Sequence, residues 1–102
     1  MVDLIELHQY FILQHLKEGD TVVDFTMGNG GDTLFLSRTV GEKGKVYAFD
    51  IQKEALDSTR AHLVASGAPE NYTLILDSHH KVRDYVKEPI KAGMFNLGYL
   101  PR

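Results

Sequence analysis

The chain has 102 residues, 43% of them hydrophobic and 25% charged, with a formal net charge of −3 and no cysteine. That length allows one domain at most, and the acidic balance supplies no basic tail of the kind that grips nucleic acid, although a local patch can still outvote the total. Disulfides, thiolate catalysis and cysteine-ligated zinc are excluded. No apolar run approaches the roughly 20 residues that span a bilayer, and Asp3 and Glu6 stand where a signal peptide would be basic. A cytoplasmic protein with no membrane association is expected.

Leu4, Leu7, Phe11, Ile12 and Leu16 recur at helical spacing and predict an amphipathic helix over residues 3–17, capped by Gly19. Residues 21–25, with Val22, Val23 and Phe25, form a short, largely apolar run, the pattern of a strand buried on both faces. A short helix follows over 32–40 and closes at Gly41, and after the turn at 41–44 a second strand covers 45–50. Residues 53–66 carry a second amphipathic pattern that Gly67-Ala68-Pro69 terminates, and residues 72–76 read as a third strand. Val82, Tyr85, Val86 and Ile90 mark a weaker third helix interrupted at Pro89, and residues 92–97 read as a fourth strand.

Strands and helices therefore alternate, with crossovers of about 10–20 residues that force parallel pairing through right-handed connections. The expected fold is Rossmann-like α/β with a parallel sheet in the order 3-2-1-4, one half of a doubly wound sheet. It fills residues 1–102 as a single domain without repeat or linker. Ligands bind such sheets at the carboxyl ends of the strands, beside the point where strand order reverses.

The segment Asp24-Phe25-Thr26-Met27-Gly28-Asn29-Gly30-Gly31-Asp32-Thr33 lies at that end of strand 1. Gly28 and Gly30 let the backbone turn tightly and approach a ligand, but strand–Gly-x-Gly–helix is common to many nucleotide folds. Asp24 narrows the choice. A dinucleotide pyrophosphate on the helix N-terminus is repelled by a neighbouring carboxylate, whereas a sulfonium ligand bearing an ammonium group gains from one. Position 33 is also Thr, where the dinucleotide fingerprint has a third glycine. The spacing Asp-x-Thr-x-Gly-x-Gly resembles the first motif of class I methyltransferases, with Thr26 in place of the first glycine. Asp24, Thr26, Gly28, Asn29, Gly30, Asp32 and Thr33 are the expected contacts; a structural turn with Asp24 satisfied inside the loop is the alternative.

Asp50 ends strand 2, where a carboxylate can take both ribose hydroxyls, with Gln52 a neighbouring candidate; equally, Asp is a favoured cap for the following helix. Asp77 and Ser78 follow strand 3, where a carboxylate can accept from an adenine amino group, or again cap a helix, here one starting near His80. His79 flanks the same crevice. The five histidines make no ligand set, so no metal is expected, and neither a P-loop nor a Ser-His-Asp arrangement is present. After strand 4, the oxygen of Asn96 and a nearby backbone carbonyl can hold an amine with its lone pair toward an electrophilic methyl, while Tyr99 offers a stacking face. An ordinary strand-ending turn is the alternative there.

Taken in order, the residues from Asp24 to Thr33, Val46-Tyr47-Ala48-Phe49-Asp50-Ile51-Gln52, Leu76-Asp77-Ser78-His79 and Phe95-Asn96-Leu97-Gly98-Tyr99-Leu100-Pro101 resemble the bacterial putative rRNA methylases. Members of that family are understood as tRNA methyltransferases acting on wobble 5-aminomethyl-2-thiouridine. The resemblance implies a class I methyltransferase fold, S-adenosylmethionine as donor, a tRNA or other RNA partner, and methyl transfer to the aminomethyl nitrogen with Asn96 and Tyr99 as the catalytic residues. Two departures stand out. Gly31 occupies a position where the family usually has His, and the chain ends at Arg102, where members continue with Gly-Gly-Asp-Lys and reach seven strands. The expectation is therefore a C-terminally truncated member holding a partial domain, whose uncovered sheet edge is open to self-association, including a homodimer. The alternatives are a non-catalytic remnant that binds S-adenosylmethionine or a nucleotide, and an NAD-binding oxidoreductase.

Overall fold

The structure is a computed structural model that describes residues 16–94. Strands β1 (Thr21–Asp24), β2 (Lys45–Asp50), β3 (Tyr72–Leu76) and β4 (Ala92–Met94) form one sheet in the order β3-β2-β1-β4. All three pairings are parallel. Helices α1 (Gly31–Val40) and α2 (Lys53–Ala65) make the first two crossovers; a 3₁₀ turn (His79–Lys81) and the single turn α3 (Val82–Tyr85) stand in the third. Among the described residues no helix is long and apolar enough to cross a membrane.

Strand periodicity explains the two-sided core, because successive side chains on a strand point to opposite faces. Val22 and Val46 pack with Leu16 and with Leu36 and Val40 of α1 on one face. Val23, Phe49 and Ile75 pack with Val86 on the other. Met27, Ala48 and Ala55 form a third cluster between the sheet and α2. Burying each of the larger side chains contributes about 1.5–3 kcal/mol.

The second face is covered by a short segment. The pattern running to Ile90 predicts a longer third helix, but the chain leaves helical geometry at Val86 (φ −109°, ψ 111°). Pro89 follows, and the residue before a proline is pushed out of the helical region. The segment is pinned to β2 instead: the Tyr47 hydroxyl donates to Glu88 Oε1 at 3.0 Å, and Lys45 Nζ lies 3.4 Å from Glu88 Oε2. The helix expected over 3–17, apart from Leu16 and Lys17, and the last three residues of the strand expected over 92–97 lie outside the described residues.

The loop from α2 into β3 is clasped to the end of α1 by Asn71, beside a bond from Arg38 to the Ser66 carbonyl (3.0 Å). Asn71 Nδ2 donates to the carbonyls of Ser37 (2.9 Å) and Gly41 (2.7 Å), while the Ser37 hydroxyl donates to Asn71 Oδ1 (2.6 Å). Each of those carbonyls also accepts a backbone N–H, Ser37 from Gly41 at 3.1 Å and Gly41 from Gly44 at 3.0 Å, so Asn71 adds a second donor to each. Truncating Asn71 removes these three bonds and leaves the buried Ser37 hydroxyl with the longer contact to the Pro69 carbonyl at 3.4 Å. Asn71→Ala should lower stability by about 1–3 kcal/mol, read as a lower urea midpoint; an unchanged midpoint would show that water replaces the clasp at no cost.

Candidate functional site

The turn between β1 and α1 is fixed from three sides. Met27, fully buried, donates its N–H to the Phe49 carbonyl at 2.9 Å, tying the turn to β2. Gly28 (φ 57°) and Gly30 (φ 94°) take left-handed backbone that other residues rarely adopt. At Gly30 a Cβ would also sit 3.0 Å from the Thr59 Cα, so only glycine lets the turn rest on α2. The Thr59 hydroxyl donates to the Gly28 carbonyl (3.2 Å), and His62 Nδ1, as the protonated ring nitrogen, donates to the Asn29 carbonyl (3.1 Å). Asn29 Oδ1 accepts the Gly31 N–H at 3.1 Å, satisfying one of the orphan donors at the start of α1.

Asp24 closes this turn from beneath. It is fully buried, with Oδ2 accepting the Thr33 hydroxyl at 2.7 Å and Oδ1 accepting the Thr26 N–H at 3.1 Å. Burial disfavours its charge and raises its pKa to about 7, against the pull of those two hydrogen bonds. Thr33 is fully buried as well. The expected contacts Asp24 and Thr33 thus lie under the floor of the site, because β1's alternation places Asp24 on the face of Val22, which α1 covers.

Beyond the carboxyl ends of β1, β2 and β3 lies a crevice made of two adjoining hollows, about 280 Å³ and 470 Å³, which share Thr26, Asp50 and Ile51. Asp77, Ser78 and His79 line the first; Gly28, Asn29 and Gln52 line the second. Asp50 accepts the Gly28 N–H on Oδ2 (3.2 Å) and the Gln52 N–H on Oδ1 (3.0 Å), so it bridges the glycine turn to the end of β2. Its alternative role as a cap is not taken, since the residue at the cap position of α2 is Gln52. Asp77 does not cap either: Ser78 does, its hydroxyl accepting the His80 N–H at 3.2 Å. Asp77 Oδ2 accepts the Tyr85 hydroxyl (2.8 Å) and Oδ1 the Ser78 N–H (2.7 Å). Those two bonds, in that order, hold its carboxyl below the usual carboxylate range against some desolvation, with the Lys81 ammonium assisting.

Eight of the expected site residues therefore meet in one crevice: Thr26, Gly28, Asn29, Asp50, Gln52, Asp77, Ser78 and His79. Gly30 is buried within the turn, Asp32 sits in the first turn of α1 outside the lining, and Asn96 and Tyr99 lie outside the described residues. Sequence reasoning missed Phe25, Ile51, His80 and Glu54, which also line it. Ile51 is 74% exposed, and an isolated apolar residue directly after a strand-ending carboxylate was a usable signal. Phe25 meets His79 edge-on at 5.8 Å and forms an aromatic flank. Among the described residues no cluster of three or more His, Cys, Asp or Glu could hold a metal ion. A crevice with acceptor carboxylates and an apolar flank suits hydroxyls, amines and a cation, and it repels phosphate.

Comparison with known proteins places this geometry in context. The model of a family described as "Putative rRNA methylase" matches residues 46–102. The chain is 44% identical over 98 residues to tRNA (mnm(5)s(2)U34)-methyltransferase, chloroplastic, of Arabidopsis thaliana, covering 86% of this chain and 36% of that protein. It superimposes on the crystal structure of a putative rRNA-methylase from Clostridium thermocellum with a TM-score of 0.89 at 42% identity, over 93% of this chain and 53% of that one. For a putative methyltransferase from Streptococcus mutans, determined in complex with SAH, the TM-score is 0.85 at 47% identity, over 99% of this chain and 55% of that one. The chain thus spans about a third to a half of the length of these relatives.

Asp24 generates a pH prediction. Its folded pKa is raised above the unfolded value, so its contribution to stability is fully present below about pH 4 and is lost as pH rises through about 7. Asp24→Asn keeps the shape and can bond both partners without a charge. Relative to that variant, the wild type should lose stability between pH 4 and 8, by at most on the order of 4 kcal/mol, in urea unfolding at each pH. A gap independent of pH would show that Asp24 is ionised throughout.

Proposed function

This chain belongs to the putative rRNA methylase family, and on that premise we propose that its crevice holds S-adenosylmethionine as the donor for methylation of RNA. Its fold is the Rossmann-like α/β fold of class I methyltransferases. One observation carries the reading: Asp50 and Asp77, at the ends of neighbouring strands, converge with the glycine turn on a single crevice.

The residues present fit such a ligand. Each Asp50 oxygen already accepts one backbone N–H and keeps another lone-pair direction, enough for the two hydroxyls of a ribose. Asp77 accepts the amino group of adenine, with Ser78 and His79 beside it. Gly28 and Asn29, with Gln52 nearby, border the remainder of the donor, while Asp24, Gly30, Asp32 and Thr33 shape that turn from below and behind. When bound, the group supplies an electrophilic methyl on a sulfonium, whose positive charge the acidic crevice favours. A dinucleotide gains no such match, because its pyrophosphate would face the same carboxylates.

For the acceptor we take the aminomethyl nitrogen of 5-aminomethyl-2-thiouridine at the tRNA wobble position, in line with the name of the Arabidopsis relative. Asn96 and a nearby carbonyl hold that amine, and Tyr99 stacks on the base. The work of these residues is alignment, which can supply about 7–11 kcal/mol of a barrier. Residues 1–102 act as one donor-binding unit of this enzyme, working in the cytoplasm.

Calorimetric titration of the chain with S-adenosylhomocysteine and, separately, NADH tests the cofactor assignment. Binding of the adenosyl ligand alone is expected; binding of NADH alone would overturn the reading in favour of an oxidoreductase. Asp50→Ala should weaken the adenosyl ligand by about 1.5–3 kcal/mol, whereas an unchanged affinity would reduce Asp50 to a brace for the turn. With labelled donor and hypomodified tRNA, label should appear at the wobble base, and Asn96→Ala should cut turnover with little change in donor affinity. Binding without transfer would leave a non-catalytic donor-binding module.

A further inference from the structure

The Asp77 carboxylate is placed partly by groups absent from the crevice lining, the Tyr85 hydroxyl and the Lys81 ammonium. Its backbone is fixed, because the Asp77 N–H donates to the Asp50 carbonyl at 2.9 Å and continues the pairing of β3 with β2. Its side chain retains 24% exposure and two free torsions. Oδ1 accepts the Ser78 N–H at 2.7 Å, and the Lys81 ammonium stands 3.9 Å from it as an ion pair. Oδ2 accepts the Tyr85 hydroxyl at 2.8 Å. A carboxylate oxygen offers about two lone-pair sites, so each oxygen, holding one hydrogen bond, keeps an acceptor direction, and the two bonds together fix the plane of the carboxylate. Without the Tyr85 hydroxyl, the ammonium and the Ser78 N–H pull on one oxygen only, and the other is left to turn with solvent.

The hydroxyl is itself held by the core. Tyr85 closes the single turn α3, and its ring meets Phe49 edge-on at 5.8 Å and 74°. Phe49 is fully buried in β2. Tyr85 is 44% exposed, so its ring is braced on one side while its hydroxyl reaches back across eight residues to the crevice.

Resting on the cofactor reading above, we infer that Tyr85 is the positioning residue that makes this site select a 6-amino purine over a 6-oxo purine. A carboxylate is acceptor-only. Locked by one donor on each oxygen, it gains a hydrogen bond from an amino group and meets a carbonyl oxygen with lone pairs opposed. A carboxylate free to rotate gains less from the first and escapes the second, so the hydroxyl sharpens discrimination in both directions.

The test compares S-adenosylhomocysteine with S-inosylhomocysteine, which differ in the group on purine C6, by calorimetry on the full chain. The wild type should prefer the adenosyl ligand, and Tyr85→Phe should reduce that preference about three- to tenfold. Asp77→Asn should also lose preference, and adding Tyr85→Phe to it should change nothing further, because the two residues act through one bond. Thermal midpoints confirm that each variant is folded, and Asp77→Asn leaves the Tyr85–Phe49 packing in place. An equal loss of both ligands in Tyr85→Phe, or an unchanged preference, would overturn the inference while leaving the cofactor reading intact. A wild-type chain that binds neither ligand would overturn both.

Discussion

The Thr33 hydroxyl, in the first turn of α1, donates to the buried Asp24 carboxyl at the end of β1. That bond, with the Thr26 N–H on the other carboxyl oxygen, sets where α1 begins relative to the end of β1. Everything on the crevice side of the turn follows from it. Gly28 is presented to Asp50, Asn29 turns back to accept the Gly31 N–H, and Gly30 is pressed against Thr59. The arrangement has a cost, since a carboxyl group buried this deeply resists ionisation. An ordinary core residue at position 24 would pack more easily but would lose the bonds to Thr33 and Thr26.

Three aspartates at the same end of one parallel sheet have three different environments. Asp24 lies under α1 and is pushed toward neutrality by desolvation. Asp50 bridges two backbone segments at the mouth of the crevice. Asp77 is held below the usual carboxylate range, first by Tyr85. The parallel register staggers them: Asp24 pairs with Ala48 and Asp50 with Leu76, so the strand ends step outward in order. Residue type alone would give all three the same role. What separates them is which face of the strand each occupies and which neighbour reaches it first.

Much of this was legible in the sequence where the signal was local. The bounds of α1, β2, α2 and β3 follow apolar periodicity and the flanking glycines to within a residue, because each element buries its own pattern against the sheet. The third crossover was not legible. Val82, Tyr85 and Val86 have helical spacing, yet the segment makes only one turn, since its order comes from Ser78, Phe49 and Glu88, far away in sequence or outside any periodic rule. Asp24 was read as facing a ligand because a carboxylate at a strand end commonly does. The alternation that puts Val22 under α1 already put Asp24 there too. Asp77's partner was invisible, as nothing in an eight-residue separation marks a hydroxyl and a carboxylate as neighbours.

The most direct test of the adenosyl site is a two-dimensional ¹H–¹⁵N NMR titration of the chain with S-adenosylhomocysteine. Shifts should concentrate on the amides of Gly28, Asn29, Ile51 and Ser78, which belong to three different strand ends that only this crevice unites. Shifts confined to another surface, or none at saturating ligand, would contradict it.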